Sequence, residues 1–105
     1  MTYAFIQDVP ANAEMYAKIF ARIRASLPTA APAGMISHVV IEQEVGLRYV
    51  DVWATREDWE RFRWDHVEPA VEAVLGEYGL PHDHDLVSIT DITVIDTWQN
   101  EAAAV

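Results

Sequence analysis

The apolar patterns along the chain predict an α+β fold in the order β-α-β-β-α-β. The expected arrangement is one four-stranded antiparallel sheet with both helices on one face. Three observations carry that prediction. Two segments space their apolar residues three and four apart, as helices do, and four others alternate or are rich in branched and aromatic residues, as strands are. The turn-forming residues fall between these segments, and 105 residues leave room for one domain, 1–105.

Tyr3 to Val9 reads as the first strand. Pro10 suits the first turn of a helix, where its missing N–H costs nothing. From Ala11 to Leu27 the residues Met15, Ile19, Phe20, Ile23 and Leu27 share one helical face, with Arg22 and Arg24 complementing the dipole near its end. Pro28 to Gly34 is a loop. Met35–Gln43 and Leu47–Ala54 form a hairpin around Glu44-Val45-Gly46, where glycine permits positive φ. Thr55-Arg56-Glu57-Asp58 resembles a capping box, with Asp in place of the usual Glu. The helix that follows carries Trp59, Phe62, Val67, Val71, Val74, Leu75 and Tyr78. Pro69 interrupts it and predicts a kink near His66 to Glu68, or two helices in series. Gly79 and Pro81 end the helix. The last strand runs from about Leu86 to Asp96, and 97–105 is a tail with Trp98 its one large apolar residue.

Composition narrows the partners. Hydrophobic residues make up 51% and charged residues 23%, as in an ordinary globular core. Asp plus Glu number 17 against 7 Lys plus Arg, a formal charge of −10, which disfavours nucleic acid and anionic membrane surfaces. Without cysteine there are no disulfides, thiolate metal sites or cysteine nucleophiles. The first residues lack the pattern of a signal peptide and no stretch is long enough to span a bilayer, so the expectation is a soluble, cytoplasmic domain.

Two helices cover one side of the sheet, so an apolar opposite face calls for a partner subunit. Side-chain parity suggests that Val50, Val52 and Ala54, with Val39, Ile41, Val87 and Ile89, pack under the helices. Leu47, Tyr49, Asp51 and Trp53 then face away, with Ile36, His38, Val40, Ser88, Thr90 and Ile92, and with Tyr3, Phe5 and Gln7 as the bulkier set of strand one. A mixed aromatic and polar wall suits a small-molecule pocket.

A turn centred on Glu44-Val45 sets His38 opposite Asp51. The simpler reading is a pair that satisfies two polar groups. The functional reading has Asp51 orient one ring nitrogen while the other acts as general base. His66, beside the expected kink, is a second candidate, with a solvated or capping role as its simpler reading. His82 and His84 in Pro81-His82-Asp83-His84-Asp85 invite a metal reading, but two histidines in a loop without a third ligand are a weak signal, so no metal is expected. Arg56, Arg61 and Arg63 read as a solvated helix face. Phosphate loops, dinucleotide fingerprints and nucleophile elbows are absent, and no cofactor motif is visible.

The stretch Gly34-Met35-Ile36-Ser37-His38-Val39, followed by Tyr49-Val50-Asp51-Val52-Trp53-Ala54-Thr55-Arg56-Glu57-Asp58-Trp59-Glu60-Arg61-Phe62, resembles the dimeric α/β-barrel superfamily. More narrowly it is similar to antibiotic biosynthesis monooxygenase-like domains, over nearly the whole chain from Tyr3 to about Trp98. The resemblance implies a ferredoxin-like protomer, two of which press their sheets into a barrel, with a pocket between sheet and helices in each. It also implies a range of activities, including cofactor-free oxygenation of aromatic polyketides, cyclisation, lactone isomerisation and haem degradation. The haem-degrading branch uses an asparagine, a tryptophan and a histidine where this chain has Gln7, Phe62 and Glu72, so its iron ligand is missing.

The expected function is therefore a small homodimeric enzyme acting on an aromatic or polyketide-like molecule, by cofactor-free oxygenation or base-catalysed proton transfer. His38 is the expected base, Asp51 its orienter and His66 a further catalytic candidate. Tyr49, Trp53, Phe5, Gln7 and Phe62 are the expected substrate contacts. The alternatives are a non-catalytic carrier of an apolar metabolite and a histidine-dependent metal or haem protein.

Overall fold

The computed structural model describes residues 2–28, 31–81, 88–96 and 98. Its elements are β1 (Tyr3–Val9), α1 (Ala13–Ser26), β2 (Met35–Glu42), β3 (Leu47–Trp53), α2 (Arg56–Phe62), a π-helical turn (Arg63–Val67), α3 (Glu68–Glu77) and β4 (Ser88–Ile92). The four strands pair in the order β2-β3-β1-β4, every pair antiparallel. This is the ferredoxin-like arrangement the pattern predicts. Val87, His82 and His84 lie outside the described residues, and β4 ends at Ile92, short of the expected Asp96.

Local chemistry fixes the element ends. Pro10 stands before α1, not in its first turn. Asn12 is the cap, its Oδ1 accepting from the Met15 N–H at 2.8 Å. Thr55 caps α2 in the same way, accepting from the Asp58 N–H at 3.1 Å. Pro69 falls in the first turn of α3, where no intrahelical donor is needed. The chain accommodates it with a π-helical turn over Arg63–Val67, so the second helical region is two helices in series. At the end of α3 the Leu80 N–H reaches back to the Leu75 carbonyl at 2.9 Å and that of Gly79 to Gly76 at 3.1 Å, with Gly79 at φ +69°. That paired pattern closes the helix end.

The side-chain parity of β1, β2 and β3 is the reverse of the sequence expectation. Phe5 and Trp53 are fully buried and pack with Ile19, Ile23, Trp59, Phe62, Ala70 and Val74 beneath the helices. Tyr3, Gln7, Tyr49, Asp51 and His38 share that inner face, following the register Phe5↔Asp51, Gln7↔Tyr49 and His38↔Asp51. The outer face holds the aliphatic set. Val39 and Ile41 are 47% and 43% exposed, with Val50 and Val52 half-buried beside them. Size explains the inversion: two helices on four strands leave a deep gap, and burying large rings there stabilises the fold more than small aliphatics do. Ile89 packs inward as expected. Ile36 is the extra residue of a bulge where Met35 pairs with Trp53 and Ser37 with Val52. Trp98 is 89% exposed, with its indole N–H on the Asp96 carboxylate.

Candidate active site

The hairpin builds the centre of the site. Gly46, at φ +79°, closes the turn with its carbonyl accepting from the Gln43 N–H at 3.1 Å. A Cβ on Gly46 would run into the Val9 carbonyl oxygen, so glycine is required twice over. This turn sets the register that puts His38 across from Asp51. Period-two alternation then points Tyr49, Asp51 and Trp53 of β3 to the helix side together.

Asp51 is almost completely buried and both its oxygens are used. Oδ1 lies 2.7 Å from Nδ1 of His38, and Oδ2 accepts from the Trp53 indole N–H at 3.1 Å. Indole nitrogen only donates, which fixes Oδ2 as an acceptor. With Asp51 a carboxylate, Nδ1 of His38 carries the proton and Nε2 of the neutral ring is left to accept. It accepts from the Tyr16 hydroxyl at 3.0 Å. The resulting chain runs Trp53, Asp51, His38, Tyr16.

Aromatic rings hold the imidazole. Phe20 stacks on His38 with centroids 5.0 Å apart, and Tyr49 meets it edge-on at 5.4 Å. Tyr16 in turn stacks on Phe20 at 4.3 Å and meets Tyr49 at 5.6 Å. Burial pushes the Tyr16 phenol up to about 12, with Asp51 adding to the rise and Arg24 opposing it. Tyr49 is raised further, by burial first and then by Tyr16 and Asp51. Both therefore remain O–H groups at neutral pH.

These raised phenols have a consequence in alkali. The folded protein keeps the Tyr16 proton up to about pH 12, whereas the unfolded chain loses it near pH 10. Between those values the native state binds more protons, so stability falls as pH rises. Tyr3, raised to about 12 by burial and its 2.9 Å bond to Asp91, contributes in the same direction. Urea unfolding across this window should show a steep loss in the wild type and a shallower one in Tyr16→Phe.

Beside His38 lies a cavity of about 280 Å³ between the sheet and the helices. Its sheet wall presents Gln7, His38, Tyr49 and Asp51, and its helical wall is mostly apolar, with Met15, Phe20, Phe62 and Val71 among its members. Pro10, Leu80 and Pro81, all exposed, mark the rim. That volume falls just below the usual range of small-molecule pockets, roughly 300–1,000 Å³. One ion pair enters the helical wall: Nε of Arg63 donates to Glu68 at 3.1 Å, with side chains only 20% and 16% exposed. The π-helical turn brings Arg63 inward, so unlike Arg56 and Arg61 it is not part of a solvated face.

Of the residues singled out from the sequence, His38, Asp51, Tyr49, Gln7 and Phe62 come together on this cavity. Trp53 and Phe5 are fully buried in the core beside it, and Trp53 acts on Asp51. His66 stands apart from the cavity lining, its Nδ1 2.9 Å from the Ser26 hydroxyl. Glu72 is exposed. Among the described residues no cluster of three or more His, Asp or Glu side chains is placed to hold a metal ion. Nor is any helix among them long and apolar enough to cross a membrane. Sequence reasoning missed Tyr16, Phe20 as a partner of His38, and the Arg63–Glu68 pair. The one available signal was that Tyr16 and Phe20 lie four apart, beside the core stripe of α1.

Comparison with known proteins places this architecture. No family model matches the chain, and no curated protein matches it. Solved structures do. The chain is similar to Rv0793 from Mycobacterium tuberculosis at 18% identity, covering 94% of this chain and 100% of that one, with a TM-score of 0.56. It is similar to SnoaB, a cofactor-independent oxygenase from Streptomyces nogalater, at 16% identity, 94% and 96% coverage and a TM-score of 0.56. A further structure, an antibiotic biosynthesis monooxygenase, matches at 9% identity over 91% of this chain and 100% of that one, with a TM-score of 0.58. The chain thus shares its fold with these structures, a cofactor-independent oxygenase and an antibiotic biosynthesis monooxygenase among them.

Proposed function

We propose that this protein is a homodimeric enzyme that deprotonates an aromatic, polyketide-like molecule without a cofactor and lets the resulting anion react with dioxygen. The observation that carries this reading is His38, fixed by Asp51 at 2.7 Å in the wall of a largely apolar cavity. Similarity in fold to a cofactor-independent oxygenase supports the choice of oxygenation over other proton-transfer chemistry.

With an anthrone as substrate, Nε2 of His38 takes a proton from the acidic ring carbon. The C–H electron pair passes into the ring system as an enolate. Asp51 stabilises the imidazolium that forms, and Trp53 holds Asp51 in place. The enolate then reduces dioxygen: one oxygen atom becomes the new carbonyl and the other leaves as water with the two hydrogens lost from carbon. Anthrone and dioxygen become anthraquinone and water, with no other oxidant or reductant required.

The first step is open to direct test. Under nitrogen in deuterated buffer, the wild type should speed exchange of the anthrone ring-carbon hydrogen, and His38→Ala should not. Exchange no faster with wild type than with His38→Ala would remove His38 as the base.

The outer face supports the dimer. Val39 and Ile41 are exposed in the single chain, and Ile6, Val50 and Val52 adjoin them on the same side. A second copy pressing the same aliphatic surface against this one buries both faces. Sedimentation should report a dimer for the wild type and a monomer for the Val39→Asp, Ile41→Asp double variant. A monomeric wild type would contradict the assembly.

A further inference from the structure

His38 cannot accept a proton from a ligand in the arrangement just described, because both ring nitrogens are engaged. Nδ1 faces Asp51 at 2.7 Å and Nε2 faces the Tyr16 hydroxyl at 3.0 Å. The group on Nε2 is itself an aryl hydroxyl, its ring stacked on Phe20 at 4.3 Å and edge-on to Tyr49 at 5.6 Å. Phe20, His38 and Tyr49 all line the cavity. Tyr16 is half-buried and lies beside that lining, its ring against all three residues. Burial keeps it a phenol, up to about 12, so it is a hydrogen-bond donor throughout the neutral range.

We propose that Tyr16 is an internal stand-in for the ligand, capping His38 in the free protein and yielding Nε2 to a ligand that brings its own aryl or enol hydroxyl. This rests on the reading of His38 as the base and names its substrate class: a flat aromatic molecule with an acidic O–H. A ligand lacking that group cannot replace the bond it displaces: it either leaves Nε2 with Tyr16, as an ether does, or uncaps it at the cost of one hydrogen bond, as the keto form of an anthrone must before it gives up its ring-carbon proton. Exchange of one hydroxyl for another is nearly balanced, so the cap lowers affinity only modestly while selecting for a donor. In this role Tyr16 is a positioning residue.

The test compares 2-naphthol with 2-methoxynaphthalene, in which a methyl group replaces the donor hydrogen, by fluorescence titration of wild type, Tyr16→Phe and His38→Ala. Tyr16→Phe keeps the ring and its stacking while removing the cap. It should bind 2-naphthol about two- to tenfold more tightly than wild type, the range one net hydrogen bond supports, with the methyl ether unchanged. His38→Ala should lose the preference for the hydroxyl. Nitrogen-15 spectra of the free proteins give a second readout: the Nε2 signal of His38 should move toward that of an unbonded imidazole nitrogen in Tyr16→Phe. Equal gains for both ligands overturn the proposal, as do no gain, a preference that survives in His38→Ala, failure of 2-naphthol to bind, or an unmoved Nε2 signal. Oxygen uptake reports separately. His38-dependent uptake without the Tyr16 pattern removes this inference alone, and the Tyr16 pattern without uptake removes the oxygenase chemistry alone.

Discussion

Replacing His38 with alanine is expected to slow anthrone oxidation by about two to four orders of magnitude, the usual contribution of a positioned general base. Alanine also strips Asp51 of one partner. Asp51 is 2% exposed, and leaving Oδ1 without a donor costs about 1–3 kcal/mol of stability. A second variant separates these effects. In His38→Gln the side-chain amide can still donate to Asp51, whereas glutamine is not a base at neutral pH. It should lose as much rate as alanine and much less stability. Rates within a fewfold of wild type for either variant would show that His38 does no proton transfer, and steady-state oxygen consumption decides it.

The largest stability effect is expected at Trp53. Its ring is fully buried and lies within 5.6 Å, centroid to centroid, of both Trp59 and Phe62. Truncation to alanine opens a cavity at the centre of the core and should cost about 3–5 kcal/mol. The indole N–H is also one of two donors to Asp51. Small domains are stable by only about 5–15 kcal/mol in all, so Trp53→Ala should leave a marginal protein. Trp53→Phe retains most of the apolar volume and loses the N–H, so its cost should fall to about 1–3 kcal/mol, set by the unpaired Asp51 oxygen. Urea unfolding measures both. A phenylalanine variant as stable as wild type would mean that Trp53 matters only for packing.

How much of this was legible beforehand differs by level. Element order, the cap at Thr55, the interruption at Pro69 and the closing glycine at Gly79 are written in local chemistry, and each appears where the residues put it. The His38–Asp51 pairing was legible too, because turn type and length fix the register of the hairpin next to the turn. Which face looks toward the helices was not. Parity separates Tyr49, Asp51 and Trp53 from Val50 and Val52, but both sets are apolar enough to be buried, one under helices and one against a partner. Period two cannot tell those burials apart, and the depth of the gap beneath the helices decides it. Tyr16 was hidden for another reason: its bond to His38 joins α1 to β2 across 22 residues, and no spacing rule links them. Arg63 read as a surface residue because an unbroken α-helix would have kept it there. The π-helical turn ahead of Pro69 places it in the cavity wall.

The measurement that bears most directly on the central claim is the stoichiometry of oxygen uptake with an anthrone, using protein stripped of metal and flavin and assayed with a chelator present. Cofactor-free oxygenation predicts uptake well above the protein-free rate, with one dioxygen consumed per anthraquinone formed and no response to added metal or flavin. Uptake that matches the protein-free rate, or that returns only when a metal or flavin is restored, would contradict it.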